Sequence, residues 1–102
     1  MKIRHELTAV IYDRKGNVLS IGKNSYVKTH PMQLFHAKKT GNPGKIYLHA
    51  EIHAIVKLKE LTKAHRIFVS RWDKKNIPRL AKPCDVCLSA IRATGIQIIE
   101  HT

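Results

Sequence analysis

The chain runs to 102 residues and carries 19 Lys and Arg against 7 Asp and Glu, a formal charge of +12. This length allows one domain, residues 1–102, with a single core, and excludes a second. No apolar run approaches the roughly 20 residues a membrane helix needs, and no charged-then-apolar leader opens the chain, so a soluble cytoplasmic protein with no membrane partner is expected.

In chain order the pattern alternates strand and helix, the mark of an α/β domain. Ile3 to Tyr12 reads as a strand apolar on both sides. Asp13-Arg14-Lys15-Gly16-Asn17 reads as a turn and Val18 to Gly22 as the returning strand of a hairpin. The stretch from Lys23 to Leu48 is rich in turn formers. Within it, Pro31 to Lys39 predicts a short helix, with proline in the first turn and Gly41 as its stop. From His49 to Leu61 the residues Ala50, Ile52, Ala54, Ile55, Leu58 and Leu61 keep helical spacing and predict one buried face. Arg66 to Val69 reads as a short buried strand and Ser70 to Lys82 as a polar, basic connection. Pro83 suits a helix start, Cys84 to Ala93 makes a helix stopped by Gly95, and Ile96 to Glu100 is the last strand. Both of the later helices then begin at one edge of the sheet, where open α/β sheets bind ligands.

Those two helix starts carry the chemistry. His49-Ala50-Glu51 offers one nitrogen ligand with a carboxylate two residues on, and Pro83-Cys84-Asp85-Val86-Cys87 offers two thiolates one helical turn apart. His49, Cys84 and Cys87 make three ligands, and a tetrahedral zinc with three protein ligands keeps its fourth position for water, as catalytic zinc does. Two other readings use the same residues. Cys84-x-x-Cys87 alone also describes a redox pair at a helix start. His53, one turn after His49, would complete a closed Cys2His2 structural zinc, although that leaves Glu51 without a role and reverses the usual finger order. The His-Glu-x-x-His metalloprotease pattern is out of register, since Glu51 stands two residues after His49. Cysteines this close build no disulfide framework.

Together, His49-x-Glu51 and Pro83-Cys84-x-x-Cys87 resemble the zinc signature of the cytidine and deoxycytidylate deaminase superfamily. The resemblance covers nearly the whole chain as a trimmed version of the fold, without the helix that family members commonly carry before the first hairpin or the further helix and strand after the second cysteine-bearing unit. It implies a compact α/β, cytidine-deaminase-like fold: a mixed, about four-stranded sheet with two main helices on one face carrying the zinc site. It implies one Zn2+ per chain on His49, Cys84 and Cys87, with Glu51 as the catalytic residue that protonates the ring nitrogen and later the departing ammonia. It also implies that Asn24, in Gly22-Lys23-Asn24, contacts the sugar or phosphate of the substrate, and that the backbone amide of Ala50 contacts the base. An asparagine in a turn needs no such role. A trimmed fold leaves the opposite sheet face partly bare, so a homo-oligomer, or cover by the Lys23 to Leu48 segment, is expected.

Charge bears on substrate size. An imbalance of +12 in so small a domain is the footprint expected of phosphate binding, although it also keeps a protein soluble. Lys23, Lys28, Lys38, Lys39 and Lys45 on one side, and Arg71, Lys74, Lys75, Arg79 and Lys82 on the other, are expected to flank the zinc mouth. Trp72 stands among the latter, where an indole either stacks on a base or caps the core. Ser70-Arg71-Trp72 resembles the serine-tryptophan element before the cysteines of polynucleotide cytosine deaminases, with an insertion ahead of Pro83. The substrate-binding set is therefore Lys23, Asn24, Ala50, Arg71 and Trp72. His30 and His36 lie near enough to Asn24 in sequence to join it or to sit at the surface.

The reading is a zinc-dependent hydrolase that converts cytosine to uracil in single-stranded DNA or RNA. A free cytidine nucleotide or nucleoside comes next, then adenosine in tRNA, whose deaminases share a pattern similar to His49-Ala50-Glu51-Ile52. From another class, a nucleic-acid-binding module that keeps zinc but has lost turnover would retain the same ligands, and the intact Glu51 argues against it. Sequence alone does not divide Tyr26, Phe35 and Tyr47 between pocket and core.

Overall fold

Residues 6–102 are described in a computed structural model, and the expected strand start at Ile3 to His5 lies outside them. Strands β1 (Leu7–Tyr12) and β2 (Val18–Lys23) form an antiparallel hairpin, and β1 pairs on its other side with β3 (Arg66–Trp72), also antiparallel. The far edge of β3 is shared. A two-residue β4 (Pro78–Arg79) turns back on Arg71 and Trp72, while β5 (Ile98–His101) runs parallel to Arg66 through Val69. Thr102 stitches these two partners together. Its N–H donates to the Val69 carbonyl at 2.9 Å, and its hydroxyl accepts from the Arg71 N–H at 3.1 Å and donates to the Arg79 carbonyl at 2.6 Å.

The sheet is mixed, as expected, and among the described residues holds five strands once β4 is included. The helices are α1 (Pro31–Lys39), α2 (Ala50–Lys57) and α3 (Asp85–Thr94). Two spans differ from the sequence reading. Ser70 to Lys82 is no plain connection: β3 continues to Trp72 and a hairpin follows. Asp73 heads its turn, its carboxylate accepting the N–H groups of Lys75 and Ile77 and the Arg79 Nε–H, while Asn76 takes φ 60°. The other difference is the end of α2, which stops at Lys57 instead of Leu61. Leu58 is extended and Leu61–Lys63 forms a separate 3-10 turn, which lets the chain reverse in time to enter β3. Leu58 and Leu61 keep a three-residue spacing in either arrangement, so periodicity did not separate them.

Alternation along the strands sorts the two sheet faces. Ala9, Ile11, Ile67 and Val69 are fully buried under the helices, joined by Ile52 and Ala54 of α2 and Val86, Cys87 and Ile91 of α3. Val10, Tyr12, Phe68, Ile21 and Ile98 occupy the opposite face, with Ile21 45 % exposed. The Lys23 to Leu48 segment does not cover that face. Its helix α1 packs on α3 and α2 instead, with Ala37 in the core and His36 bonded to Ser89 of α3 at 2.8 Å.

The seating of α2 on β2 is unusually close. A Cβ at Gly22 would collide with the backbone of Ala50 and Ala54, so only glycine lets the strand lie against the helix here. Three further contacts fasten the pair: the Ser20 hydroxyl donates to the Ala54 carbonyl at 2.7 Å, Lys57 Nζ donates to the Ile21 carbonyl at 2.9 Å, and His53 Nδ1 accepts from the Lys23 N–H at 2.9 Å. At the other helix, Gly95 caps α3 in the left-handed region at φ 82°, a conformation that favours glycine and ends the helix where the sequence predicts.

Candidate metal centre and active-site pocket

His49 and Cys84 occupy equivalent places, each the N-cap of its helix with an extended backbone. Cys87 follows one turn into α3 and is fully buried. The two helix starts therefore bring three donor atoms together. His49 Nδ1 lies 3.2 Å from Cys87 Sγ and 3.6 Å from Cys84 Sγ, and the three donors all fall within 4.8 Å of one another. With Zn–S bonds of about 2.3 Å and Zn–N bonds of about 2.0–2.1 Å, a tetrahedral site needs an N···S edge of about 3.5 Å, so the spacing fits zinc. One nitrogen and two sulfurs are also the donor chemistry that zinc favours.

His53 does not join them. Its ring faces the end of β2 and is engaged by Lys23, which removes the closed Cys2His2 arrangement.

The electrostatics of the cluster suit a cation. The Cys84 thiol is drawn down to about 3, first by a hydrogen bond from Cys87 and then by one from His49, against the opposing effect of burial. Cys87 is pushed up, by its bond to Cys84 and by burial. His49 is raised chiefly by its bond to Cys84. Glu51 is only 4 % exposed, and burial raises its carboxyl above the usual range, partly offset by its own backbone amide and by Cys87. A carboxyl held in this way, beside the metal donors without being one of them, suits proton transfer.

His49 and Cys84 open on a cavity of about 370 Å³. Its walls come from the residues that follow β2 (Asn24, Ser25, Tyr26), from the loop before α2 (Gly44 through Tyr47), and from Leu7, Lys82 and the start of α2. The first amides of a helix have no partner within it, so the N–H of Ala50 in this wall is available to an acceptor. Asn24 holds the end of β1: its Oδ1 accepts the Leu7 N–H at 2.8 Å. Tyr26 and Tyr47 line the cavity, 41 % and 48 % exposed, whereas Phe35 lies outside it, edge-on to His36.

Asn24 and Ala50 are thus brought to the metal donors, and Lys23, Arg71 and Trp72 are not among the residues lining the cavity. Only Lys45 and Lys82 represent the two expected basic flanks in its wall. Trp72 is 52 % exposed and stands on the open side of β3 with Phe68, while Arg71 stands on the helix side directly opposite Leu7. His30 caps α1, its Nδ1 accepting from the Met32 N–H, and His36 is buried against Ser89, so neither lines the cavity. Gln33, which sequence reasoning passed over, is fully buried and bonded to the backbone of His49. Its polar side chain on a weakly amphipathic helix gave no periodic signal.

Among the described residues no helix is long and apolar enough to cross a membrane. A search of curated proteins found no significant match. A model of the cytidine and deoxycytidylate deaminase zinc-binding region matches residues 2–100. With that match running almost end to end, the chain belongs to the cytidine and deoxycytidylate deaminase family.

Proposed function

We propose that the protein hydrolyses the amino group of cytosine carried on a phosphorylated sugar, with single-stranded nucleic acid as the substrate. The observation that carries the phosphate is the distribution of charge around the cavity. Lys45 and Lys82 stand in its wall, and Glu51 is the one acid there among the described residues. Arg71 lies beside Leu7 on the same side of the sheet with a buried Nε that has no hydrogen-bond partner, and among the described residues no acid pairs with it. Nearby acid is committed elsewhere, since Asp73 pairs with Arg79 at 2.8 Å. The exposed rings of Tyr26 and Tyr47 supply stacking surfaces for bases next to the target, a contact worth roughly 1–3 kcal/mol in single-strand binders.

The residues then divide the work. His49, Cys84 and Cys87 hold zinc, whose contribution in such a site is to acidify water to a pKa of about 7. Glu51 takes one proton from the attacking water and delivers it to the ring nitrogen of cytosine, then takes the second from the hydroxyl now on the ring carbon and delivers it to the amino group, which leaves as ammonia. The Ala50 amide orients the base, and Asn24 lies where the sugar would pass. The overall change is cytosine plus water to uracil plus ammonia.

A second reading, a free cytosine nucleotide, is favoured by the cavity itself, whose wall holds two lysines among the described residues, enough for one phosphate group. The test is conversion by zinc-loaded protein of matched single-stranded DNA and RNA, nucleotides and nucleosides, with adenine counterparts alongside. The expected result is that phosphorylated cytosine is preferred over the nucleoside by about tenfold or more in kcat/KM, the worth of one charge-assisted contact, with strands preferred over monomers. Conversion of nucleotides alone would move the assignment to the second reading. Equal use of nucleoside and nucleotide would remove phosphate from the account.

A further inference from the structure

Helix α1 lies outside the zinc-bearing units, yet its buried face is polar: Gln33 and His36 share it with Ala37. Gln33 is 0 % exposed and uses both ends of its amide on distant backbone. Its Oε1 accepts the His49 N–H at 3.1 Å, and its Nε2 donates to the Lys45 carbonyl at 2.8 Å. His49 is the metal ligand that caps α2, and Lys45 belongs to the loop that walls the substrate cavity. One rigid, planar amide therefore spans from the metal ligand to the pocket wall. The loop it holds is already tied down at its far end, where the Leu48 N–H donates to the Lys28 carbonyl at 2.9 Å and Thr29 bridges Tyr47.

We propose that Gln33 is a positioning residue that sets the separation between the metal and the substrate-binding loop, an inference that rests on the deaminase reading of the cavity. The His49 peptide has an extended backbone at a helix start, with no side-chain cap to orient it. Fixing its N–H fixes the direction in which the imidazole leaves the chain. The same amide group prevents the Lys45 carbonyl from turning into the cavity, where it would present an unsatisfied acceptor to the substrate. A hydrophobic side chain of equal volume would fill the space and leave both backbone groups unpaired.

The test replaces the zinc with cobalt(II) and compares Gln33→Met with His36→Gln, a change on the same buried helix face that touches neither His49 nor Lys45. Both variants should melt below the wild type. Only Gln33→Met should shift the visible ligand-field bands of the cobalt protein and raise KM for a cytosine substrate, by about tenfold, the effect of losing one buried hydrogen bond. If Gln33→Met melts lower but keeps the wild-type cobalt spectrum and KM, Gln33 is a packing residue and the proposal is overturned. Should Gln33→Met fail to fold, Gln33→Asn takes its place, since it retains the amide but is one methylene too short to reach both groups. The cobalt spectrum needs no turnover, so an inactive wild type would defeat the deaminase reading while the spectrum still decides the role of Gln33.

Discussion

The two faces of the sheet present comparable apolar side chains but serve different ends. On one face Ala9, Ile11, Ile67 and Val69 are fully buried, and the helices they support bring His49, Cys84 and Cys87 to a single point with Glu51 beside it. On the other, Val10, Phe68, Ile21 and Ile98 stand without a covering layer among the described residues, crossed by an Arg66–Glu100 ion pair at 3.1 Å. Packing on the first face is bound up with the site, because a shift of α2 moves both His49 and Glu51. Packing on the second face has no such link to the site.

The largest expected effect comes from breaking the first face at its tightest contact. Gly22→Ala places a methyl against the backbone of Ala50 and Ala54, neither of which is a flexible side-chain end. We expect a loss of about 3 kcal/mol or more, at the upper end for overpacking, together with weaker zinc binding, measured by thermal melting and metal titration. A variant as stable as the wild type would show that α2 is less firmly seated than its contacts with β2 indicate.

The second face is sharpened by mass. An apolar sheet surface of this kind is expected to bury itself against a second copy, so light scattering should give twice the chain mass or more. Phe68→Ser combined with Ile21→Ser should return a monomer with unchanged zinc content. A wild-type monomer would end the oligomer expectation.

Smaller effects follow from single polar groups. His36 lies below its ordinary pKa, first because burial disfavours the imidazolium and then because of the Lys39 charge. The unfolded chain therefore binds that proton more readily. Stability from the neutral ring is present above about 6.5, the unfolded value, and is lost as pH falls from there toward the folded value. The drop in melting temperature between pH 7.5 and 5.5 should be smaller in His36→Gln than in the wild type, and equal drops would contradict this. At the low end, Arg66→Ala removes a half-exposed ion pair with Glu100 and a cation contact over the Tyr12 ring at 4.4 Å. About 0.5–1 kcal/mol is expected in urea unfolding, because such surface pairs are screened by solvent.

The same contrast explains what could be read from the sequence. The metal donors were legible because their chemistry fixes residue type and spacing within short motifs, and α1 and α3 were legible because proline and glycine mark their limits. The hairpin after β3 was missed although its signal was present. Asp73-Lys74-Lys75-Asn76 repeats the plan of Asp13-Arg14-Lys15-Gly16, an aspartate heading the turn and a positive-φ residue three positions on, with asparagine in place of glycine. Once that hairpin exists, strand alternation sends Trp72 to the open side and Arg71 to the helix side, which no reading of the segment as a loop could anticipate. Gln33 was illegible for a different reason: a buried glutamine is recognised by its partners, and those lie on the far side of a loop.

The most direct test of the central claim is cytosine-to-uracil conversion by wild-type protein and Glu51→Ala, each carrying one zinc per chain by metal analysis. The variant is expected to keep its zinc while conversion falls by about 10²–10⁴-fold or below detection, the range for loss of a group that positions and transfers protons. Equal conversion by the two proteins, or none by the zinc-loaded wild type on any cytosine or adenine substrate, would contradict it.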